Sequence, residues 1–168
     1  MYAQGFTANA DYFTADKSRS SYLSIVESAH VRTIPGWLSK GRVNDAVADI
    51  KYTLERFPNH PESLQQLSMI AQMTKNFSLA AAQFEKAVSL FPQYALTRAQ
   101  YGLFLVSTNN LEAGVENLKA SVELDPKLPA GHAGLAHAYA KKGDMERARE
   151  SGNRARELGF TGNLPPGL

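Results

Sequence analysis

Apolar residues recur along this chain at the three- and four-residue spacing of amphipathic helices, and the pattern itself returns every 34 residues. Pro58, Pro92 and Pro126 stand 34 apart, and Phe160 takes the next place in that column. The same shift aligns a tiny column (Ala46, Ala80, Gly114, Ala148) and an apolar one (Val43, Phe77, Leu111, Met145). It also aligns a large apolar column, Ile50, Phe84 and Leu118, which ends in Gly152, and a polar column of Arg42, Asn76, Asn110 and Asp144. A tiny residue lets two helices approach closely. A proline cannot continue a helix and so closes one. Asn76, Asn110 and Asp144 precede apolar runs and read as N-caps. Gly41 and Gly143 fall in turns where a positive φ costs little. The pattern predicts helices over 43–57, 61–74, 77–91, 95–108, 111–124, 129–142 and 145–158. An irregular helix is expected over about 21–39, kinked or broken at Pro35 and Gly36.

A 34-residue helix–turn–helix unit is the tetratricopeptide period. The run Leu135-Ala136-His137-Ala138-Tyr139-Ala140-Lys141-Lys142-Gly143-Asp144, with Ala148 and Ala155, resembles that family's pattern. So do Ala80, Phe84, Ala87, Leu90 and Pro92, and Gly102, Leu118, Leu124 and Pro126. The resemblance implies an all-α, right-handed superhelical solenoid of antiparallel helix pairs, with three clear repeats and a degenerate first one. Trp37, Thr33-Ile34-Pro35 and Gly152 depart from the pattern. The expected organisation is an N-terminal arm at 1–20, a solenoid at 21–160 and a flexible or extended tail at 161–168. Tyr2, Phe6, Tyr12 and Phe13 of the arm either cap the first repeat or enter the groove or a neighbouring copy. The segment from Asp11-Tyr12 through Val26–His30 to Tyr52–His60 loosely resembles small exported bacterial repeat proteins, which implies the bacterial periplasm; the cytoplasm is the alternative.

The amino terminus, Met1 to Phe6, has no basic stretch followed by an apolar one, so no intact signal peptide is read there. A second reading makes Met1 an addition to a mature exported chain, with Tyr2-Ala3-Gln4 the remnant of a cleavage site. No apolar run approaches the roughly 20 residues of a membrane span. The formal net charge of +2 is too balanced to point to nucleic acid or an anionic membrane. Without cysteine there is no disulfide, thiol nucleophile or Cys-ligated zinc.

No catalytic constellation is found: no G-x-S-x-G, phosphate loop or dinucleotide fingerprint occurs. His132 and His137 lie five residues apart, about 140° round a helix, and do not share a metal readily. His60, between Pro58-Asn59 and Pro61, reads as a turn residue. Glu150 is expected to pair with Arg154 at i, i+4. The arginines of the last helix, diluted by Glu146, Glu150 and Glu157, read as a solvated face, with an acidic partner as the competing reading. Neither cofactor nor metal is expected.

In the tetratricopeptide family the first helix of each pair lines the concave surface. By register this implies Glu62, Gln65, Met69, Gln72 and Met73; then Leu96, Ala99, Gln100, Leu103 and Val106; then Ala130, Ala133, His137 and Lys141. The Lys, Arg and Asn that clamp a C-terminal carboxylate in some relatives are missing; Gln65, Met69, Leu96 and Gln100 stand near those places. An uncharged Met/Leu/Val stripe suits the apolar face of a partner helix or a peptide. A lipid- or sterol-like molecule is the alternative ligand, and Leu103 and Val106 could instead pack against neighbouring helices. Self-association is left open.

Overall fold

The computed structural model describes residues 9–14 and 17–167, with the backbone alone at 17–20. Every regular element among the described residues is helical. The chain forms two compact units, one up to Phe91 and one from Pro92 onwards.

The first unit holds α1 (Lys17–Val26), a π-helical turn (Glu27–Val31), α2 (Ile34–Ser39), α3 (Val43–Arg56), α4 (Pro61–Thr74) and α5 (Phe77–Leu90). The second holds α6 (Ala95–Ser107), α7 (Leu111–Leu124), α8 (Pro129–Lys141) and α9 (Met145–Glu157). From α3 onwards each helix agrees with its expected span to within one residue at either end. Within the first unit from α3 to α5, and within the second from α6 to α9, short connections make consecutive helices antiparallel neighbours.

The start of the chain differs from expectation. The break lies at Arg32–Thr33, not at Pro35 and Gly36, which instead sit in the first turn of α2. Proline is tolerated there because the N–H it lacks would have no intrahelical partner. α1 begins at Lys17, within the stretch expected to be the arm. Residues 9–14 form a strap on α3: Asn9 and Ala10 donate their N–H groups to the carbonyls of Glu55 (3.1 Å) and Arg56 (2.7 Å). Ala10 is buried with Val26 and Phe57, and Tyr12, Tyr22, Leu23 and Tyr52 pack around them. Tyr12 therefore caps the first repeat. The readings of Met1–Ala3, Tyr2 and Phe6 lie outside the described residues.

Position 41 in the 34-residue register is left-handed in all four repeats. Gly41 (φ 70°), Lys75 (φ 59°), Asn109 (φ 68°) and Gly143 (φ 80°) occupy it. In the N-cap column only Asp144 caps with its side chain, accepting from Arg147 N–H at 3.1 Å. Asn76 and Asn110 hold the same place with similar backbone angles and make no such bond. The charge of Asp144 separates it from them: a carboxylate is favoured at a helix N-terminus and here is also clamped by the Arg147 guanidinium.

The tiny positions do what close packing requires. A Cβ built on Gly102 would lie 2.6 Å from Leu118 Cγ and 2.9 Å from the Gly114 carbonyl oxygen; one on Gly134 would lie 2.2 Å from Leu118 Cδ2. Leu118 is fully buried and has nowhere to move. Gly102→Ala should therefore destabilise the protein by about 1–3 kcal/mol, because overpacking outweighs the gain in helix propensity. A higher midpoint in urea for that variant would show that the helices are not held at glycine distance. Lys75→Gly should act the other way, stabilising by about 1 kcal/mol through relief of the left-handed backbone. Thermal melting of the two variants checks both signs.

Candidate functional site

The expected inner-face residues meet different fates in the two units. On α4, Leu64, Leu67, Ile70 and Ala71 face inward and are buried. The opposite side carries Gln65, Met69, Gln72 and Met73, all exposed, with Met69 at 46% and Met73 at 63%. Residues 65, 69 and 73 follow one another at i, i+4 and form a single stripe. Its polar members are neutral, and Glu62 at its start is engaged with Gln66 at 3.1 Å.

In the second unit the expected set is largely taken up by packing. Ala99, Val106 and Ala133 are buried and cannot line an open groove. Val106 belongs to the core with Leu118, Leu135 and Tyr139, and Leu103 packs against the same cluster. Leu96, Gln100 and His137 stay partly accessible. His137 Nε2 lies 3.1 Å from the Asn163 carbonyl oxygen, and Lys141 donates to the Val106 carbonyl at 2.8 Å.

The last helix keeps its charges largely to itself. Arg154 pairs with Glu157 at 3.0 Å rather than with Glu150, and Arg147 with Asp144, each at i, i+3. On the outer side a crevice of about 620 Å³ opens between α7, α8 and α9, lined by Lys119, Val122, Leu135, Tyr139, Arg147 and Arg154 among others. None of the expected groove residues lines it. Arg147 stacks over the Tyr139 ring at 4.6 Å.

Two histidines of the first unit have roles that spacing did not reveal. His60, in the turn between α3 and α4, is buried and forms the N-cap of α4. Its Nδ1 accepts from Ser63 N–H (3.2 Å), so Nε2 carries the proton and faces Glu27 Oε1 (3.3 Å). Tyr12 stands edge-on to the ring at 4.7 Å, and Asn59 accepts from Tyr12 N–H while donating to Asp11. His30 Nδ1 donates to Asp49 Oδ1 at 2.8 Å, and Asp49 Oδ2 accepts from Trp37 Nε1 (2.8 Å) and Thr33 Oγ1 (3.0 Å). Partial burial raises the Asp49 carboxyl, but the bonds from His30, Trp37 and Thr33 outweigh it and hold it below its ordinary range. A His–carboxylate pair can orient a catalytic base. Here the same carboxylate also holds Thr33 and Trp37, and the His30 ring lies on Tyr52 at 4.1 Å, so the pair ties the π-helical turn and α2 to α3. Among the described residues no group of three or more His, Asp or Glu could hold a metal ion.

With this geometry in hand, comparison with known proteins gives the class. Tetratricopeptide-repeat models match residues 61–94 and 102–160, together more than half of the chain, which belongs to that family. Among curated relatives it is 27% identical over 104 residues to the TPR repeat-containing thioredoxin TTL4 of Arabidopsis thaliana, a match covering 62% of this chain and 14% of that one. It is 22% identical over 121 residues to the human mitochondrial import receptor subunit TOM70, covering 71% and 20%. The chain thus spans a fifth or less of the length of these relatives. Among solved structures, a thermophilic TPR protein of Thermus thermophilus is 20% identical with a TM-score of 0.61, covering 79% of this chain and 74% of that one. YrrB, described as a TPR protein with an unusual peptide-binding site, is 20% identical with a TM-score of 0.58, covering 83% and 70%. At these identities the likeness to solved structures is one of fold.

Burial lowers the pKa of His60 below its ordinary 6.5, against the raising pull of Glu27 and Glu62. Above pH 6.5 the ring is neutral in both folded and unfolded chains. Below it the unfolded chain binds a proton that the folded chain resists, so stability falls as the pH drops towards the lowered value. Melting temperatures should decline from pH 6.5 to pH 5. His60→Asn, which keeps a capping side chain, should flatten that part of the profile. An unchanged slope in the variant would remove His60 as its source.

Proposed function

We propose that the chain is a non-catalytic binding module that takes a protein segment, the apolar face of a helix or a peptide, on the α4 stripe of its first unit. The observation that carries this reading is the pair Met69 and Met73, adjacent on one face and 46% and 63% exposed, among neutral side chains. Methionine is flexible and polarisable and adapts to varied apolar partners. A helix would lay its i, i+3 and i+4 residues along such a stripe. The peptide-binding site named for YrrB is consistent with this use of the fold. A lipid-like ligand would require an enclosing cavity, whereas the stripe is an open helix face. The periplasm is the compartment in keeping with this reading, on the loose resemblance of residues 11–60 to exported bacterial repeat proteins.

Peptides selected from a random library on the immobilised chain should be apolar on one side. Met69→Lys with Met73→Lys should weaken their binding about tenfold or more, as expected when a contact patch loses its central residues. Both positions are solvent-facing, so helicity by circular dichroism should be unchanged. Peptide affinity that survives the double substitution would move recognition away from α4.

A further inference from the structure

Sulfur in this chain is confined to thioethers. The sequence has four methionines and no cysteine, so no thiol competes with them for an oxidant. Among the described residues the methionines are Met69, Met73 and Met145. Met145 opens α9 and is partly buried. Met69 and Met73 are the exposed pair, at i, i+4 on one side of α4. The core is built without them, since α4 buries Leu64, Leu67, Ile70 and Ala71. The repeat does not call for sulfur at these places either. The next members of the two columns are Leu103 and His137, and Ser107 and Lys141.

This placement separates surface chemistry from stability. Oxidation of a buried methionine puts a polar sulfoxide into the core and disrupts it. On an exposed face the same change leaves the core intact and replaces a flexible apolar group by a polar one. A peroxide is the oxidant. The thioether sulfur gives an electron pair to one peroxide oxygen, and the O–O bond breaks as the S–O bond forms. With hydrogen peroxide, the departing hydroxide takes the proton of the transferred oxygen and leaves as water. The sulfur loses two electrons and the peroxide gains them. The product is reversible, each sulfoxide epimer being returned to the thioether by its own reductase.

We propose that Met69 and Met73 are a paired, reversible oxidation site whose sulfoxides turn off apolar capture on α4. The effect on capture rests on the α4 reading above; the selectivity of the site does not.

The full chain is treated with hydrogen peroxide and followed by mass spectrometry of its proteolytic fragments. Met69 and Met73 should each gain oxygen at least about threefold faster than Met145, in keeping with their exposure. Helicity by circular dichroism should be retained. A labelled apolar peptide, selected from a random library on the untreated chain, should bind the oxidised chain about tenfold or more weakly, as when a contact patch loses its central residues. Treatment with the two methionine sulfoxide reductases should restore the affinity. Met69→Leu with Met73→Leu removes the sulfur, so the affinity of that variant, whatever its value, should be the same before and after peroxide. Met145→Leu should leave the peroxide response as it is in the unmodified chain. Slower oxidation of the pair than of Met145, loss of helicity on oxidation, or a peroxide response that survives the leucine pair overturns the proposal. Affinity that falls with Met69→Lys and Met73→Lys but not with oxidation overturns it while leaving the α4 reading in place. Affinity indifferent to both the lysine pair and peroxide overturns both.

Discussion

Leu118 is the side chain on which the second unit depends. It is fully buried, and Gly102 from α6 and Gly134 from α8 both come closer to it than any Cβ would allow. Three helices are thereby drawn onto one residue. Gly114, one turn earlier on α7, gives the same closeness to Val106: a Cβ there would lie 2.7 Å from Val106 Cγ2. The hydrogen bonds that join the helices across this unit require that approach. Ser121 Oγ reaches the Ala95 carbonyl at 2.7 Å and Lys141 reaches that of Val106 at 2.8 Å. Such side chain-to-backbone bonds form only if the backbones are near, so the small residues come first in the causal order. Ala46 and Ala80 hold the same column in the first unit and are completely buried.

Because the period of the chain is the period of this packing, most of the architecture was legible before any coordinates. Proline columns gave the helix ends and tiny columns the crossings. The left-handed column was only half legible. Gly41 and Gly143 announce a positive φ, while Lys75 and Asn109 adopt one because the repeat demands it, against the preference of lysine. Likewise the N-cap column identified position but not chemistry, since the backbone is alike at Asn76, Asn110 and Asp144 and only the carboxylate closes the cap.

The parts that sequence reasoning missed are long-range and polar. Nothing in the spacing of Glu27 and His60, or of His30 and Asp49, says that each pair will meet; that follows from where the π-helical turn delivers its side chains. A π-helical turn widens the helix by one residue and is seldom kept without a compensating gain. Here Glu27 and His30 of the turn both find partners beyond it, at the start of α4 and on α3. A usable signal was present in Pro-Asn-His-Pro: a histidine directly before a proline at a helix start can cap through Nδ1, so its neighbours deserved a search for a proton acceptor. Register gives the expected direction of a side chain but not the distance to the next helix, so it left Val106 open between groove and packing; Ala99, Val106 and Ala133 are all buried.

The two units therefore carry different surfaces on helices of equal rank in the repeat. On α4 the exposed side carries Met69 and Met73 beside the uncharged Gln65 and Gln72, so a contact made there would depend on apolar area removed from water and little on salt. On α8 the accessible groups are a histidine already hydrogen-bonded to the chain and a lysine spent on a backbone carbonyl.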